Sequence, residues 1–398
     1  MPVRETVLVT DGTQRAALAL TRAYGKAGHR VVVAAERLPS LAGVSRYATW
    51  QGLVPDALEA SGEFVTRLRQ IIAEQRATVL VPVTEPALLA ILAAPEAFPG
   101  CRVLASSLER FLAVSDKARL LEAATGIGIA VPQQVIVPDI DAAPEAITTA
   151  KHFPLVLKPA RSVSGSGADR VKAGVRHART RAELARELGA YPAAAFPIML
   201  QQRIIGPGIG VFLLRWQGRT LARFFHRRLR EKPPSGGVSV YAESVAPDEE
   251  LQRKSEALLD QLGWNGVAMV EYKRDAATGT PYLMEINGRF WGSLQLAIDA
   301  GVDFPNLLLA AELGQPVEPV LDYRVGVRWR WWWGSVDHLL ARLRRTDAAL
   351  ALPPGELTRW RAVASLLSPW RRGEFSETFR RDDPRPFLRE TLDWMLRR

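Results

Sequence analysis

The chain has 398 residues, of which 47% are hydrophobic and 24% are charged, and its formal net charge is +10. This length allows two or three domains with a large core, and the composition is ordinary for a soluble protein. The single cysteine, Cys101, excludes an intrachain disulfide and favours a reducing compartment. No apolar run is long enough for a signal region or a transmembrane helix, so we expect a cytoplasmic protein.

Residues 1–113 alternate between short apolar strands and amphipathic helices. Strands are predicted at 6–10, 29–35, 79–83 and 102–104, with helices at 14–27, 64–75 and 86–93. This rhythm is typical of the α/β class and predicts a Rossmann-like domain built on a parallel sheet. The first strand is followed by Thr10-Asp-Gly-Thr13, which is not a G-x-G-x-x-G sequence, so dinucleotide binding is not expected.

Residues 114–205 are predicted to form a small α/β lobe with a linker helix, and this lobe contains a lysine and a glycine-rich loop. Lys158 ends an apolar strand and is followed by a Gly/Ser loop that includes Ser164, Gly165, Ser166 and Gly167. Backbone N–H groups of such a loop can fold over phosphates, and a lysine adds a point charge there. No G-x-x-x-x-G-K-[ST] sequence occurs, which excludes a P-loop.

Residues 206–318 are predicted to form a second lobe whose last two strands carry acids. Glu271 lies in one strand, and Glu285, Asn287 and Arg289 alternate along the next, after a turn at 274–281. Alternate side chains share one face of a strand, so a hairpin would bring both carboxylates and the Asn oxygen together. This set of oxygen donors predicts a Mg²⁺ site at Glu271, Glu285 and Asn287.

The same lobe contains a densely basic segment at 225–237. Strand alternation would place His226, Arg228 and Arg230 on one face, where the arginines could neutralise a carboxylate or a phosphoryl group. The segment ends in Pro-Pro-Ser-Gly-Gly, which predicts a mobile loop that covers a substrate.

Residues 319–398 have a different composition, rich in tryptophan and arginine. Seven of the 11 tryptophans lie here, and helices are predicted at 336–345 and 387–396. We expect an extension packed on the catalytic core or on a dimer partner. Contact with an anionic membrane surface is the alternative that we favour less, and no nucleic acid partner is expected.

The order of these motifs resembles the ATP-grasp superfamily over roughly residues 5–315, and most closely its carboxylate–amine ligases. The lobes at 114–205 and 206–318 would then form a two-lobed ATP-grasp domain, after the Rossmann-like domain and before the extension. The resemblance implies that Lys117, at a predicted helix start, and Lys158 hold ATP phosphates. It also implies that Gln201, Gln202, Arg203 and Ile204 hold the adenine edge, while Gly208 replaces a glutamate that often binds the ribose.

The function implied by this resemblance is ligation of a small-molecule carboxylate to an amine, with ATP and Mg²⁺. The carboxylate would take the γ-phosphate of ATP to give an acyl phosphate and ADP, and the amine would then release phosphate. Arg289 would steady the transferred phosphoryl group, with Arg228 and Arg230 at the substrate. A kinase or carboxylase on the same fold and a non-catalytic nucleotide-binding protein are the alternatives, and a homodimer is left open.

Overall fold

A computed structural model describes residues 4–165, 170–347, 349–350, 352, 358–367 and 373–396. Ser166 and Gly167 of the predicted phosphate loop therefore lie outside the described residues. The structure is a mixed α/β fold with a five-stranded parallel sheet, a four-stranded and a seven-stranded mostly antiparallel sheet, and a two-stranded sheet. This confirms the predicted fold class.

The first sheet has five parallel strands in the order β3-β2-β1-β4-β5. Its elements are β1 (Thr6–Val9), α1 (Arg15–Lys26), β2 (Arg30–Ala35), β3 (Ala48–Leu53), α2 (Ser61–Gln75), β4 (Val79–Val81), α3 (Glu85–Leu92) and β5 (Arg102–Val103). Strand β3 was not predicted. It is an edge strand with only Gly52 fully buried, so it lacks the apolar run that marks β1 and β2.

The second sheet has four strands in the order β10-β7-β11-β6, and it carries Lys158 on a central strand. Strands β8 and β9 pair in antiparallel fashion as a separate two-stranded sheet, one before and one after the predicted phosphate loop. The elements are α4 (Leu108–Ser115), α5 (Lys117–Gly126), β6 (Gln134–Val137), α6 (Ala143–Thr149), β7 (Leu155–Pro159), β8 (Val163–Ser164), β9 (Val171–Lys172), β10 (Arg176–Ala178), α7 (Arg181–Gly189) and β11 (Ile198–Gln202).

The third sheet has seven strands in the order β16-β15-β12-β13-β14-β17-β18. Its elements up to residue 312 are β12 (Gly208–Trp216), β13 (Arg219–Lys232), β14 (Val238–Ser244), α8 (Glu249–Gln261), β15 (Gly266–Arg274), β16 (Pro281–Asn287), α9 (Leu294–Ala300) and α10 (Phe304–Glu312). Strand β14 was not predicted. The sequence at 233–237, predicted to be a mobile loop that covers a substrate, connects β13 to β14, which pair in antiparallel fashion.

One hydrophobic core joins the parallel sheet to the seven-stranded sheet. Leu20 and Tyr24 of α1 belong to the same buried cluster as Trp291 and Phe304. Burial of such large side chains stabilises this junction by roughly 1.5–3 kcal/mol for each residue. Helix α1 is therefore fixed against α9 and α10, the two helices that follow β16.

The C-terminal segment packs on both of these sheets. It contains β17 (Arg328–Arg330), α11 (Trp332–Arg344), α12 (Arg359–Leu367), β18 (Glu374–Ser376) and α13 (Arg385–Leu396). The predicted packing on the core is confirmed, although the segment is not only helical, since β17 and β18 extend the seven-stranded sheet. Arg22 of α1 is buried against it and donates to Asp383 and to the carbonyls of Glu377 and Thr378.

In the described part of the chain, no helix by itself is long and apolar enough to cross a membrane. One consecutive pair, α9 and α10, reaches that length and composition only together, with a bend of 93° between them.

Candidate active site

Two carboxylates face each other across the β15–β16 hairpin. Glu271 is the register partner of Glu285, and Asn287 lies two residues further along β16, where its Nδ2 donates to Glu285 Oε1 at 3.1 Å. The turn that joins the strands is held by Asp275, which accepts the N–H groups of Ala277 and Thr278. The structure thus brings the three predicted Mg²⁺ ligands together.

Two lysines from the other parts of the fold supply positive charge at Glu285. Lys117 follows the N-cap Asp116 of α5, and its Nζ lies 3.0 Å from Ser162 Oγ and 3.6 Å from Glu285 Oε2. Burial alone would raise the pKa of Glu285, but Lys117 and Lys158 outweigh it and lower this pKa to about 2. Burial lowers the pKa of Lys158, although the charges of Glu285 and Glu271 act to raise it.

Arg228 is the centre of a buried ion triad. Its Nη1 donates to Glu231 Oε1 at 3.0 Å, and its Nη2 donates to Glu271 Oε2. Burial raises the pKa of Glu271, and the guanidinium of Arg228 opposes that rise. The two carboxylates raise the pKa of Arg228 against the effect of burial, so its charge is fixed.

These groups line one cleft of 610 Å³ between the four-stranded and seven-stranded sheets. The cleft contains most of the predicted site residues, namely Lys158, Gln201, Gln202, Arg203, Ile204, Arg228, Glu271, Glu285, Asn287 and Arg289. Lys117 reaches its wall through the contact with Glu285. Side chains from two sheets, from α5 and from the segment after β16 therefore converge on one cleft. The most distant of them in sequence, Lys117 and Arg289, are 172 positions apart.

The prediction that Arg228 and Arg230 lie on the same face of the strand is wrong. The register between β13 and β14 shifts between these two residues, because Arg228 is opposite Ala242 and Arg230 is opposite Tyr241. Such a β-bulge reverses the alternation of side chains. Arg230 stacks over the Tyr241 ring at 5.1 Å and is not among the residues that line the cleft.

The phosphate loop is also placed differently from the prediction. Ser164 and Gly165 line a neighbouring cavity of 1260 Å³, together with Glu85, Arg161 and Asp116, and they do not line the cleft of Lys158. The structure therefore brings Ser164 and Gly165 to the border of the site but not to Lys158.

His226 is completely buried at the floor of the cleft. Its Nδ1 lies 3.5 Å from Ser293 Oγ, and its Nε2 has no hydrogen-bond partner among the described residues. Burial and the nearby Arg228 lower its pKa well below 6.5, so the imidazole is neutral. The buried Nε2 therefore remains an unsatisfied polar atom next to the cleft.

A carboxylate from the neighbouring strand lies beside Gly208, the position at which the resemblance leads one to expect an acid. A Cβ at Gly208 would lie 3.4 Å from Glu231 Oε1 and 2.9 Å from Arg228 Cδ. Glu231 itself lines the cleft. Sequence reasoning missed this residue because the side chain comes from the partner strand and not from the position after Gly-Pro.

Four further residues at the site were not predicted. Arg15, His177 and Lys273 line the cleft, and Glu85 interacts with Lys117 and Arg289. Burial lowers the pKa of His177 to about 4, so it is also neutral. No local motif surrounds these residues, and only long-range packing brings them to the cleft.

The donor set at the hairpin fits a hard cation. Within the described ranges, no cluster of three His, Cys, Asp or Glu side chains stands ready to enclose a metal ion. Mg²⁺ does not need such a cluster, because it takes one or two carboxylates and completes its shell with waters and substrate phosphates. Glu285 is ionised at neutral pH, which suits this role.

Comparisons with known proteins agree with this architecture. Residues 195–333 match the family described as ATP-grasp in the biosynthetic pathway with Ter operon, whereas no curated protein matches the chain by sequence. L-amino acid ligase from Bacillus licheniformis has 19% identity and a TM-score of 0.61, over 80% of this chain and 76% of the ligase.

Two other solved structures have similar scores. The biotin carboxylase domain of Hydrogenobacter thermophilus 2-oxoglutarate carboxylase, solved with MgADP, ADP and bicarbonate, has 16% identity and a TM-score of 0.64, over 82% of this chain and 74% of that one. N5-carboxyaminoimidazole synthetase from Staphylococcus aureus with ADP has 14% identity and a TM-score of 0.61, over 82% of both chains. At such identities the similarity establishes a shared fold.

Proposed function

We propose that this chain is an ATP-dependent ligase that joins a carboxylate to an amine, because it has the ATP-grasp fold and its residues 195–333 match an ATP-grasp family. One observation carries the proposal: the facing carboxylates of Glu271 and Glu285 lie in one cleft with several basic side chains, which are the charges needed to bind Mg-ATP beside an anionic acid. The basic side chains on which the proposal depends are Lys117, Lys158, Arg228 and Arg289. The domain limits at 113, 205 and 318 are part of the same proposal.

In this proposal the nucleotide lies against the four-stranded sheet. Lys117 and Lys158 hold its phosphates, and Gln201 to Ile204 border the base. Glu271, Glu285 and Asn287 hold Mg²⁺, which when bound neutralises phosphate charge. Glu231 is adjacent to the cleft wall at Gly208, where a carboxylate can accept hydrogen bonds from ribose hydroxyls.

The reacting acid is proposed to lie beside Arg228 and Arg289. Its carboxylate oxygen attacks the γ-phosphorus of ATP, the bond to the β-phosphate oxygen breaks, and ADP leaves. The amine then attacks the acyl carbon and phosphate leaves with the bridging oxygen. Arg289 neutralises charge during both steps, and the neutral His226 lies beside the substrate.

Several features support ligation over a purely structural role. A buried Arg228 between two glutamates and a buried neutral His226 with an open nitrogen are costly to maintain without a ligand. A carboxylase would bind Mg-ATP in the same way, and one of the similar structures is a biotin carboxylase domain solved with bicarbonate. The second substrate distinguishes the two reactions.

The test is a screen for ADP release with Mg-ATP, in which carboxylic acids are supplied in pairs with amines. We expect ADP to form only when both are present, and the product mass to equal acid plus amine minus water. ADP release that requires bicarbonate and no other acid would instead identify a carboxylase. Tight MgADP binding with no turnover under any pair would identify a nucleotide-binding protein.

A further inference from the structure

Arg15, at the start of α1, brings a cation from the parallel-sheet domain into the cleft. It is the first helical residue after β1 and its turn, at the edge where parallel sheets present ligand-binding groups. Its Nη2 lies beside Gly292, where an added Cβ would be only 3.3 Å away. The glycine therefore leaves room for the guanidinium, next to the segment that follows Arg289.

The C-terminal segment holds Arg15 in this position. The guanidinium carbon lies 3.8 Å from the centre of the Trp331 ring, and Nη1 donates to Glu377 Oε2 at 2.5 Å. Trp331 is itself fixed, because its Nε1 donates to Glu390 at 2.7 Å. A cation over an indole and a charge-assisted hydrogen bond together orient the arginine fork.

A second cation of the cleft lies over the same tryptophan. Lys232 Nζ is 5.3 Å from the centre of the Trp331 ring and donates to Asp337 of α11. Both Lys232 and Arg15 line the cleft. The C-terminal segment thus supplies one aromatic ring and two carboxylates that hold two cations at the end of the cleft away from the four-stranded sheet.

Arg22 shows what an arginine with a purely structural role looks like in this helix. Its guanidinium makes hydrogen bonds to Asp383 and to three carbonyl oxygens, its side chain is 3% exposed, and it does not line the cleft. Arg15 uses one of its five donors on Glu377 and borders the open space of the cleft. Packing of the C-terminal segment already has its anchor in Arg22.

The charge of Arg15 is only partly neutralised by its partner. Glu377 is buried, and burial raises its pKa to about 8 even though Arg15 opposes this effect. Near neutral pH this carboxyl is largely protonated. Arg15 therefore keeps a net positive charge that a ligand anion can neutralise.

We propose that Arg15, held by Trp331 and Glu377 and assisted by Lys232, binds a second anionic group of the acid substrate. The inference rests on the proposed function, since it places the reacting carboxylate at Arg228 and Arg289. The substrate class is an acid that has another carboxylate or a phosphate besides the group that reacts. The C-terminal segment then determines substrate choice by building the end of the cleft.

The experiment compares matched acids on the full chain. Succinate, glutarate and adipate are the dianions, 3-phosphonopropionate provides a phosphate-like group, and butyrate, pentanoate and hexanoate are matched monoanions. Binding is measured by calorimetry in the presence of MgADP, and ADP release with Mg-ATP and an amine pool gives KM and kcat. We expect one dianion to bind about 10- to 100-fold more tightly than its monoanion, the usual range for one charge-assisted contact.

Two variants assign that preference to Arg15. Arg15→Met should raise the KM for the preferred dianion about tenfold or more and leave kcat, monoanion binding and MgADP affinity within about twofold, while Arg15→Lys should recover part of the loss. Lys26→Met is the matched control, because Lys26 lies on the same helix and pairs with Asp382 of the C-terminal segment without lining the cleft. It should change none of these values.

The outcomes separate the two proposals. Equal binding of dianions and monoanions, no binding of any dianion while MgADP binds, or a preference that survives Arg15→Met would overturn the role of Arg15 and leave the ligase proposal standing. Failure of MgADP to bind would instead contradict the proposed function itself.

Discussion

Replacing Glu285 by glutamine removes one charge from the centre of the site and keeps the side-chain shape. The carboxylate lies 3.6 Å from Lys117 Nζ, and its pKa of about 2, against an ordinary 4.5, corresponds to roughly 3 kcal/mol in favour of the ionised form. Because 32% of the side chain is exposed, solvent screening reduces this to roughly 2 kcal/mol. We expect Glu285→Gln to lower the free energy of unfolding by about that amount at pH 7.

The pH dependence of this difference follows from the direction of the shift. A depressed carboxyl pKa contributes stability above pH 4.5, and that contribution is lost as the pH falls through about 2. Urea unfolding of wild type and variant should therefore differ at pH 7 and converge toward pH 2. The same variant should lose at least about 10²-fold in ADP formation.

A matched control makes the result specific. Glu256→Gln makes the same chemical change at α8, where Glu256 accepts hydrogen bonds from Thr220 and Gln252 outside the cleft. It should leave ADP formation unchanged. A Glu285→Gln protein that keeps turnover within about threefold, or a stability difference that is constant from pH 7 to pH 2, would refute the reasoning.

Three further predictions concern the nucleotide, the C-terminal segment and the cysteine. Lys158→Met should weaken MgADP binding about tenfold or more in calorimetry, because a cation at the phosphates is lost. Lys254→Met on α8, outside the cleft, should not change this affinity. Equal MgADP affinities of the wild type and Lys158→Met would show that Lys158 does not bind the nucleotide. Arg22→Met should cost about 3–5 kcal/mol in thermal unfolding, since it leaves Asp383 as a buried unpaired charge, and a change below about 1 kcal/mol would argue against that anchor. Burial raises the pKa of Cys101 to about 11, so iodoacetamide at pH 8 should label it only after unfolding in urea; rapid labelling of the native protein would contradict the buried thiol.

The sequence was informative where function depends on neighbouring residues. Glu285 and Asn287 share a strand face by the period of two, and the turn before them places Glu271 opposite Glu285. Helix α5 begins at Lys117, where a helix start was predicted. These are short-range rules of strand alternation and helix initiation, and they describe the elements that carry Glu271, Glu285, Asn287 and Lys117.

Prediction failed where geometry depends on irregularity or on distant packing. The register shift before Arg230 turns that side chain toward Tyr241, and no sequence motif here predicts such a bulge. Arg15 lies 362 positions before Glu377, so nothing near it indicates that it reaches the cleft. Glu231 of β13 brings a carboxylate next to Gly208 of β12, and no motif around Gly208 indicates this contact.

The most direct test of the proposed reaction follows oxygen atoms. In a ligase that uses an acyl phosphate, one oxygen of the substrate carboxylate bridges carbon and phosphorus and leaves with the phosphate. Substrate labelled with ¹⁸O in that carboxylate should therefore give one labelled oxygen in the released phosphate, detected by mass spectrometry, together with ADP. Label found only in the organic product, or formation of AMP and pyrophosphate, would contradict the account.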